Sequence, residues 1–532
     1  MVLHKKILAL SAAAGVIAVL MSLQAMAYEK INTVRVGLES SYKEVSSVKI
    51  AESDIDVGFE KSGNFEKIDE LKGSFSISLA QSTIINANEY YPSYDDAIKA
   101  CDDIEKLWGY KAAAGMTNED LWGVFVYEFG KDDEALAADT LKGEKVSDSK
   151  IVVLYDNNEP KLVFDGVNPQ IKSADNEATA LQNKSYRGVL EFGRYSGKKI
   201  TVVNSVGMED YLKGVVPSEM PASWNEEALK AQAVAARTYV YSRRSAHESE
   251  GYDVCDTTNC QVYGGFEAEN QNSSKAVDDT KNEVAIYNGE PIFSVFFSSS
   301  GGSTDDCANV WGTDFPYLKA VNDKYETGVT KWTRTYTASE MTAFMNRLGK
   351  GVGNVEKVEV SEEGNYGRIQ SLKVTGSSKT VTLTKEETRT FCSSSADGSL
   401  PSRMYTVKSD IAADSASDNN NPKVFIISDN DISLADVKNV YFKSGGKAIK
   451  GFELDGITVI VSGEDLKNTV GTNNVESKKK ESSAKATNTV VFTGSGIGHG
   501  VGMSQYGAKG MAENGFDYKQ ILEYYYTGID VE

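Results

Sequence analysis

The segment from Val215 to Tyr239, VVPSEMPASWNEEALKAQAVAARTY, brings a carboxylate, a helix start and two cations together. Glu219 lies among apolar residues, and apolar surroundings raise the pKa of a carboxyl group. A carboxylic acid that stays protonated near neutral pH can donate a proton in catalysis. Pro217 disfavours helical angles at the residue before it, so the sequence predicts an extended approach to Glu219.

A helix is predicted to follow this carboxylate. Ser223 and Glu226 have the spacing of a capping box, and the residues after Glu226 are alanine-rich helix formers. On that helix Lys230 and Arg237 share one face, so both cations are predicted to look back at Glu219. Two alternatives stay open: Glu219 is a solvated surface residue, and the two cations cover apolar surface with their side-chain stems.

A glycine-rich motif, GSGIGHGVGMSQYGAKGMAENG, surrounds His499 and leads into a helix predicted to start at Ser504–Gln505. It lacks the GK[ST] ending of a phosphate-binding loop, and no acidic ribose ligand or βαβ frame supports a dinucleotide site. So many glycines suit a backbone fitted tightly around the histidine. His499 is therefore either a structural residue of this loop or part of a site.

The cysteines leave several kinds of chemistry open. The chain has 5 cysteines, an odd number and too few for a disulfide scaffold. Cys255 and Cys260 lie in one loop, and His247 and Cys307 are candidates for a third or fourth metal ligand beside them. Structural zinc prefers four Cys or His ligands, and this spacing does not guarantee such a set. A zinc site, a local disulfide and two free thiols all remain possible.

Two further motifs carry groups that suit a carbohydrate. In FSVFFSSSGGSTDD, Ser299 and its serine neighbours can donate hydrogen bonds to sugar hydroxyls, although a plain hairpin turn is the alternative. No GxSxG elbow surrounds these serines, so none is marked as a nucleophile. In WGTDFPYLKAV, Trp311, Tyr317 and Lys319 combine aromatic rings with a cation, which suits stacking on a sugar that bears an acidic substituent.

The motifs follow one another in the order of a known family: YLKGVVPSEMP, EALKAQAVAARTY, DTTNCQVYGG, FFSSSGGSTDD, WGTDFPYLKAV, LPSRMYTV and GIGHGVGMSQYGAKGMAENG. Together they resemble the SpoIID/LytB family, the group of stage II sporulation protein D and the amidase enhancers. The resemblance covers roughly residues 186–408 and 490–530. The chain departs from the family pattern at residues 409–489, which separate two motifs that normally follow each other closely. It also has Asn259 where some members have a histidine beside the second cysteine.

The resemblance implies that the protein cleaves peptidoglycan glycan strands as a lytic transglycosylase in cell-wall remodelling, including sporulation. Glu219 is then the catalytic residue, and no cofactor is required beyond an optional structural zinc. The implied substrate-binding residues are Lys230, Arg237, Ser299, Tyr317, Lys319, His499, Gln505 and Tyr506. The alternative from the same family is a non-catalytic glycan-binding enhancer of a cell-wall amidase. A zinc amidase is disfavoured, because only His247 and His499 follow the first segment and no HExxH motif occurs.

Composition and the first residues restrict where the protein works. A net charge of −20 argues against a nucleic-acid binder, which normally presents a basic face. Lys5-Lys6, an apolar run and Ala25-Met26-Ala27 have the pattern of a secretory signal. We expect cleavage after Ala27, with an uncleaved anchor as the alternative, and a secreted or cell-envelope protein outside the cytoplasmic membrane.

The predicted fold class is α+β. Alternating strands and short helices predict a small α/β unit over residues 71–167, which loosely resembles a glycan-binding SPOR repeat. The remaining boundaries are a signal at 1–27, an extended segment at 28–70, a linker at 168–185, the SpoIID/LytB-like domain at 186–408 and 490–532, and a β-rich insertion with disordered flanks at 409–489.

Overall fold

The computed structural model describes residues 28–117, 121–146, 151–182, 184–195, 198–411 and 487–532, together with the backbone of four short strands between 423 and 450. These residues form a mixed α/β architecture, with one extensive hydrophobic core and smaller ones beside it. The signal expected at 1–27 and the disorder expected around Asn419 and Glu476 lie outside the described residues. Among the described residues, no helix combines the length and the apolar character needed to cross a bilayer.

A seven-stranded sheet takes strands from the segment 28–70, which was expected to be extended, and from 168–185, where the expected linker is wrong. Valines and isoleucines such as Val34, Val36 and Ile55 are fully buried, but charged neighbours dilute their period-two pattern in the sequence. The strands, in spatial order, are Val254–Cys255, Thr33–Gly37, Thr201–Gly207, Val189–Gly193, Pro169–Ser173, Asp54–Lys61 and Asn64–Lys72.

An eight-stranded sheet with two helices occupies the region of the predicted small α/β unit. The helices Tyr94–Trp108 and Glu134–Leu141 form where the periodicity predicts them, and Ser93 caps the first by accepting the Asp96 N–H at 3.2 Å. The resemblance to a SPOR repeat stays a prediction. The strands, in spatial order, are Ser47–Lys49, Phe75–Ser78, Ile151–Asp156, Glu159–Asp165, Lys111–Thr117, Trp122–Glu128, Ile85–Tyr91 and Glu144–Lys145.

Two consecutive helices pack in the largest core: Met208–Glu219, here called the acid helix, and Glu226–Arg243, here called the central helix. The predicted extended approach to Glu219 is wrong, since Pro217 lies inside the acid helix. A proline inside a helix costs about 3 kcal/mol. The buried side chains of Tyr211, Leu212, Val215 and Val216 outweigh this cost, at about 1.5–3 kcal/mol for each large apolar group.

The central helix begins where the composition predicts, but its cap differs. Asn225, not Ser223, is the N-cap, and its side chain accepts the Glu227 N–H at 2.9 Å. The alanines of the helix are buried and allow close approach of three other helices. These neighbours are Gln271–Asp279, Gln505–Glu513 and Tyr518–Tyr525.

A second hydrophobic core contains Trp332 and Phe492 among its buried residues. Its strands are Lys331–Thr337, Thr489–Ser495 and Tyr405–Asp410 in one sheet, and Val355–Glu363, Ile369–Gly376 and Thr380–Thr384 in another, with helices at Ala338–Arg347 and Glu387–Thr390. Tyr405–Asp410 pairs with Thr489–Ser495, so the 409–489 insertion leaves and re-enters the fold at neighbouring strands. Its described backbone consists of two hairpins, Lys423–Ser428 with Asp431–Asp436 and Tyr441–Ser444 with Lys447–Lys450.

Short elements join the serine-rich and glycine-rich motifs. Phe296–Phe297 pairs in parallel with Met503–Ser504, and Ser504 caps the helix Gln505–Glu513 at the predicted place by accepting the Gly507 N–H at 3.1 Å. The remaining short strands and helices are Ala178–Leu181, Lys184–Arg187, Ala285–Tyr287, Glu290–Pro291, Asp530–Val531, Glu39–Tyr42 and Cys307–Val310.

Candidate functional site

Glu219 is the last residue of the acid helix, and its carboxylate lies between two other motifs. Its Oε1 accepts the Val262 N–H at 2.6 Å, and the Gln505 side chain also hydrogen-bonds to it. Burial raises the pKa of Glu219 above its usual value, although these two hydrogen bonds favour the charged form. The shift is in the direction that a general acid needs at neutral pH.

Lys230 and Arg237 do not face Glu219, which corrects the sequence-based expectation. They share one face of the central helix as predicted, but that face packs against the helix Gln271–Asp279. Lys230 forms ion pairs with Glu226, Glu227 and Asp279, at 3.0, 3.1 and 3.5 Å.

Arg237 is fully enclosed, and its partners are structural. It binds both carboxylate oxygens of Glu209, at 3.2 and 2.6 Å, and donates to the carbonyls of Glu283 and Val277. Burial therefore raises the pKa of Glu219 without an opposing charge from either cation.

The opposite face of the central helix looks towards the candidate site instead. Gln232 accepts a hydrogen bond from the Gln505 amide at 3.4 Å, and Tyr239 and Arg243 line a pocket further along the helix. The spacing 232, 239 and 243 was visible in the sequence and could have identified this face. Val262, in contrast, contributes only its backbone N–H, so no side-chain signal marked it.

His499 is a neutral, fixed ring. Its Nε2–H donates to the Phe296 carbonyl at 3.1 Å, and its Nδ1 accepts the Val501 N–H at 3.1 Å. Burial lowers the pKa of His499 to about 3, helped by the positive charges of nearby arginines. The ring packs against Phe297 and Trp311, at centroid distances of 5.3 and 4.9 Å. With both nitrogens engaged, His499 shapes the site and does not transfer protons there.

Backbone pairing and a buried arginine hold the serine-rich motif in place. Ser299 is buried and forms a backbone bridge with Ile497, and its hydroxyl has no hydrogen-bond partner among the described residues, so its contact with a substrate stays a prediction. The fully buried Arg368 donates to the Ser300 and Ser303 carbonyls, at 2.6 and 2.7 Å. A Cβ at Gly500 would overlap the Arg368 guanidinium, which explains why this position takes a glycine with φ of +88°.

Three other residues that were predicted to bind substrate contact other groups of the protein. The Tyr317 hydroxyl accepts the Phe293 N–H at 3.1 Å, while Lys319 pairs with Asp314. Neither residue lines the pocket beside His499. Tyr506 packs edge-to-face on Trp224 at 5.0 Å, close to Gln505 in the chain.

The pocket beside His499 has a volume of about 510 Å³ and lies next to the loop that holds Glu219. Thr258, Asn259 and Cys260 line it, and Val262 in the same loop donates to Glu219. Its wall is largely aromatic, formed by Tyr239, Phe293, Phe296, Trp311 and Phe315.

His247, Cys255 and Cys260 come together at the same loop, and Cys260 also lines the pocket. Their ligand atoms all lie within 4.8 Å of one another, with His247 Nε2 3.2 Å from the Cys260 sulfur. The two cysteines are free thiols in the structure, and a hydrogen bond from Cys260 lowers the pKa of Cys255 to about 6. Cys307 does not belong to this cluster; it lines the pocket. One imidazole and two sulfur atoms are donors of the kind that Zn²⁺ prefers, and they supply three of the four ligands usual at a structural site.

A second set of groups surrounds the other nitrogen of His247. The carboxylates of Glu39 and Glu250 lie 3.9 and 3.8 Å from its Nδ1. The ring of Tyr252 stacks on His247 at 5.0 Å, and its hydroxyl contacts both carboxylates at 2.5 Å. Glu39 comes from the segment that the sequence did not connect with the site. Both carboxylates lie beyond hydrogen-bond distance of Nδ1 but place negative charge beside it, where a carboxylate typically supports a metal-binding histidine.

Comparisons with known proteins agree with these motifs. A family model described as SpoIID, stage II sporulation protein, matches residues 196–287, and a domain of unknown function, DUF8618, matches residues 317–426, which overlap the second core. An uncharacterized protein of Brachyspira hyodysenteriae is 30% identical over 353 residues, covering 66% of this chain and 73% of the relative.

Two Bacillus subtilis proteins are also similar. Stage II sporulation protein D is 28% identical over 383 residues, covering 68% of this chain and 86% of that protein. The amidase enhancer is 34% identical over 327 residues, covering 60% of this chain but only 39% of the enhancer's length. The ordered motifs, the family model and these relatives together show that the chain belongs to the SpoIID/LytB family.

Proposed function

We propose that the protein cleaves peptidoglycan glycan strands by a lytic transglycosylase reaction, with Glu219 as the acid and base. The observation that carries the proposal is the buried carboxyl of Glu219, whose pKa is raised and whose described hydrogen-bond partners are a backbone N–H and an amide. Neither partner is a carboxylate that could serve as a second acid or base. Ordinary glycosidases usually employ two carboxylates, whereas this reaction needs one.

The reaction uses the same group twice. Protonated Glu219 donates its proton to the glycosidic oxygen as the bond between that oxygen and muramoyl C1 breaks. The resulting carboxylate then accepts the proton of the muramoyl 6-hydroxyl while O6 bonds to C1, which closes a 1,6-anhydro ring. Glu219 ends protonated, and no water is consumed. The Val262 N–H and the Gln505 amide orient the carboxylate and stabilise its charged form between the two steps.

A zinc ion would be held by His247, Cys255 and Cys260, and it would serve a structural role. Bound there, it would cross-link the chain after the central helix to the loop that carries Val262. The lowered pKa of Cys255 favours the thiolate that binds metals. In this role the ion would fix the loop that carries the N–H donor of Glu219 and would take no part in proton transfer.

The amidase-enhancer relative provides the second candidate, a glycan-binding protein that stimulates an amidase without cutting glycan. We favour cleavage because Glu219 is partly buried and its pKa is raised, a state that binding alone does not require. Purified protein incubated with sacculi should release anhydro-muropeptides, detected by mass spectrometry. Stimulation of an amidase without such products would support the enhancer and reject cleavage.

The site of action is proposed to be outside the cytoplasmic membrane, in vegetative or sporulating cells. The lysine pair, apolar run and Ala-x-Ala sequence within the first 27 residues support export. N-terminal sequencing of the exported protein should begin near Tyr28, and finding Met1 would contradict cleavage of the signal.

A further inference from the structure

Arg243 differs from the other arginines near the end of the central helix. Arg237 binds the Glu209 carboxylate, and Arg244 lies 3.8 Å from a carboxylate oxygen of Asp253. Arg243 forms no ion pair with a carboxylate within the described part of the chain, and its Nε is buried without a hydrogen-bond partner there. A buried guanidinium N–H without a hydrogen-bond partner is costly, so such a group normally has a partner in the protein, in ordered water or in a ligand.

The surroundings of Arg243 hold its guanidinium at the pocket wall. The group lies over the Phe293 ring, 5.7 Å from its centroid, and also hydrogen-bonds with Tyr239. Stacking on an aromatic ring fixes the plane of the guanidinium and leaves its edge for a planar anion. Arg243 lines the pocket of about 510 Å³ beside His499.

The charge around this pocket is opposite to that of the whole protein. The chain carries a net charge of −20, yet the described residues that line the pocket include Arg243 and no aspartate or glutamate. His499 adds no charge near neutral pH, because burial lowers its pKa to about 3. The pocket therefore attracts an anion on an otherwise acidic protein.

An exposed aromatic ring completes the arrangement. Trp311 is 42% exposed and is supported by contacts with His499 and Phe293, at 4.9 and 6.1 Å. A large ring that is exposed and fixed from below suits stacking on a flat sugar face. A guanidinium pairs with a carboxylate through two parallel hydrogen bonds.

We propose that this pocket is a carboxylate-binding subsite, in which Arg243 pairs with a carboxylate of the glycan substrate and Trp311 stacks on the sugar that carries it. The inference rests on the proposed function for the identity of the ligand, and it assigns specificity to Arg243. Two sources of the carboxylate share this chemistry: the lactyl group of a muramoyl residue and an acidic residue of a stem peptide.

The test measures binding of wild type, Arg243→Gln and Arg243→Lys by calorimetry. The probes are a neutral chito-oligosaccharide, a muramoyl glycan with free lactyl carboxylates, its methyl ester, and the same glycan carrying stem peptides. Wild type should bind a carboxylate probe about 10- to 150-fold more tightly than the uncharged probes, the range for a hydrogen bond to a charged group. Arg243→Gln should lose this preference and keep its affinity for the chito-oligosaccharide, whereas Arg243→Lys should keep part of it.

The matched control is Arg244→Gln, which alters the neighbouring arginine outside this pocket and should retain the preference. Preference for the free lactyl glycan over both its ester and the peptide-bearing glycan identifies the lactyl group, and the reverse identifies the peptide. Equal binding of acid and ester by wild type, or an unchanged preference in Arg243→Gln, would overturn the subsite. Anhydro products from wild type without any carboxylate preference would reject this inference and keep the proposed function. Carboxylate preference without release of anhydro products would keep this inference and reject the proposed function.

Discussion

Replacing Arg237 by methionine should loosen the central helix while leaving the candidate chemistry in place. Arg237 is 1% exposed, and its guanidinium binds both oxygens of Glu209 and two backbone carbonyls. Methionine keeps much of the apolar stem but leaves the Glu209 side chain, only 18% exposed, without its counterion. Breaking a buried pair in this way costs about 3–5 kcal/mol, which corresponds to roughly two to three and a half orders of magnitude in an equilibrium constant.

Hydrogen exchange followed by mass spectrometry measures the loss of stability in the central helix itself. Peptides that cover Glu226–Arg243 should exchange faster in Arg237→Met by that factor, up to the limit set by other opening motions. Lys319→Met is the matched control, because it removes a cation from a surface pair worth about 0–1 kcal/mol. It should leave exchange of the helix unchanged. Unchanged exchange in Arg237→Met, together with weaker glycan binding, would place Arg237 in the substrate site and refute the structural role.

Three further outcomes follow from the packing and charges. Gly500→Ala should lower Tm more than Gly515→Ala. Both glycines have positive φ, +88° and +87°, but only a Cβ at position 500 overlaps a buried guanidinium. Equal decreases in Tm would contradict this role of the overlap. The free energy of unfolding should rise between about pH 3 and 6.5, because His499 binds a proton in the unfolded chain in this range but not in the folded one. His499→Gln should flatten part of that rise. If urea titrations at several pH values give the same slope for the variant as for wild type, His499 is not the group responsible. Glu39→Gln should weaken zinc binding about 10- to 100-fold in chelator competition. Glu248 is an exposed residue of the same region, so Glu248→Gln should leave zinc affinity unchanged. Equal zinc affinities of the two variants would show that Glu39 does not belong to the proposed site.

The sequence located the motifs but not the orientation of the helix that joins them. Helical spacing correctly placed Lys230 and Arg237 on one face, yet spacing alone does not say which neighbour that face packs against. The long-range partners Glu209 and Asp279 decide this, and they lie in other helices. Arg243, four residues from Tyr239 and eleven from Gln232 on the site-facing side of the helix, carries the charge at the pocket instead.

Contacts made by backbone or by distant segments were also beyond the sequence. The donor to Glu219 is a main-chain N–H of Val262, which any residue except proline could supply. Glu39 reaches His247 because the strand Thr33–Gly37 pairs with Val254–Cys255, a parallel register that no local pattern specifies. By contrast, helices with strong local signals, such as Tyr94–Trp108 and Gln505–Glu513, could be predicted from their periodicity and caps.

The most direct test of the central claim compares Glu219→Gln with wild type on purified sacculi, with pulldown and mass spectrometry on the same preparations. Glutamine keeps the size of the side chain but cannot exchange the proton, so Glu219→Gln should bind sacculi like wild type and release anhydro-muropeptides about 100- to 10,000-fold more slowly. Glu226→Gln, a surface change in the same motif, should release them at the wild-type rate. Release by Glu219→Gln at the wild-type rate would contradict the role of Glu219 as the acid and base.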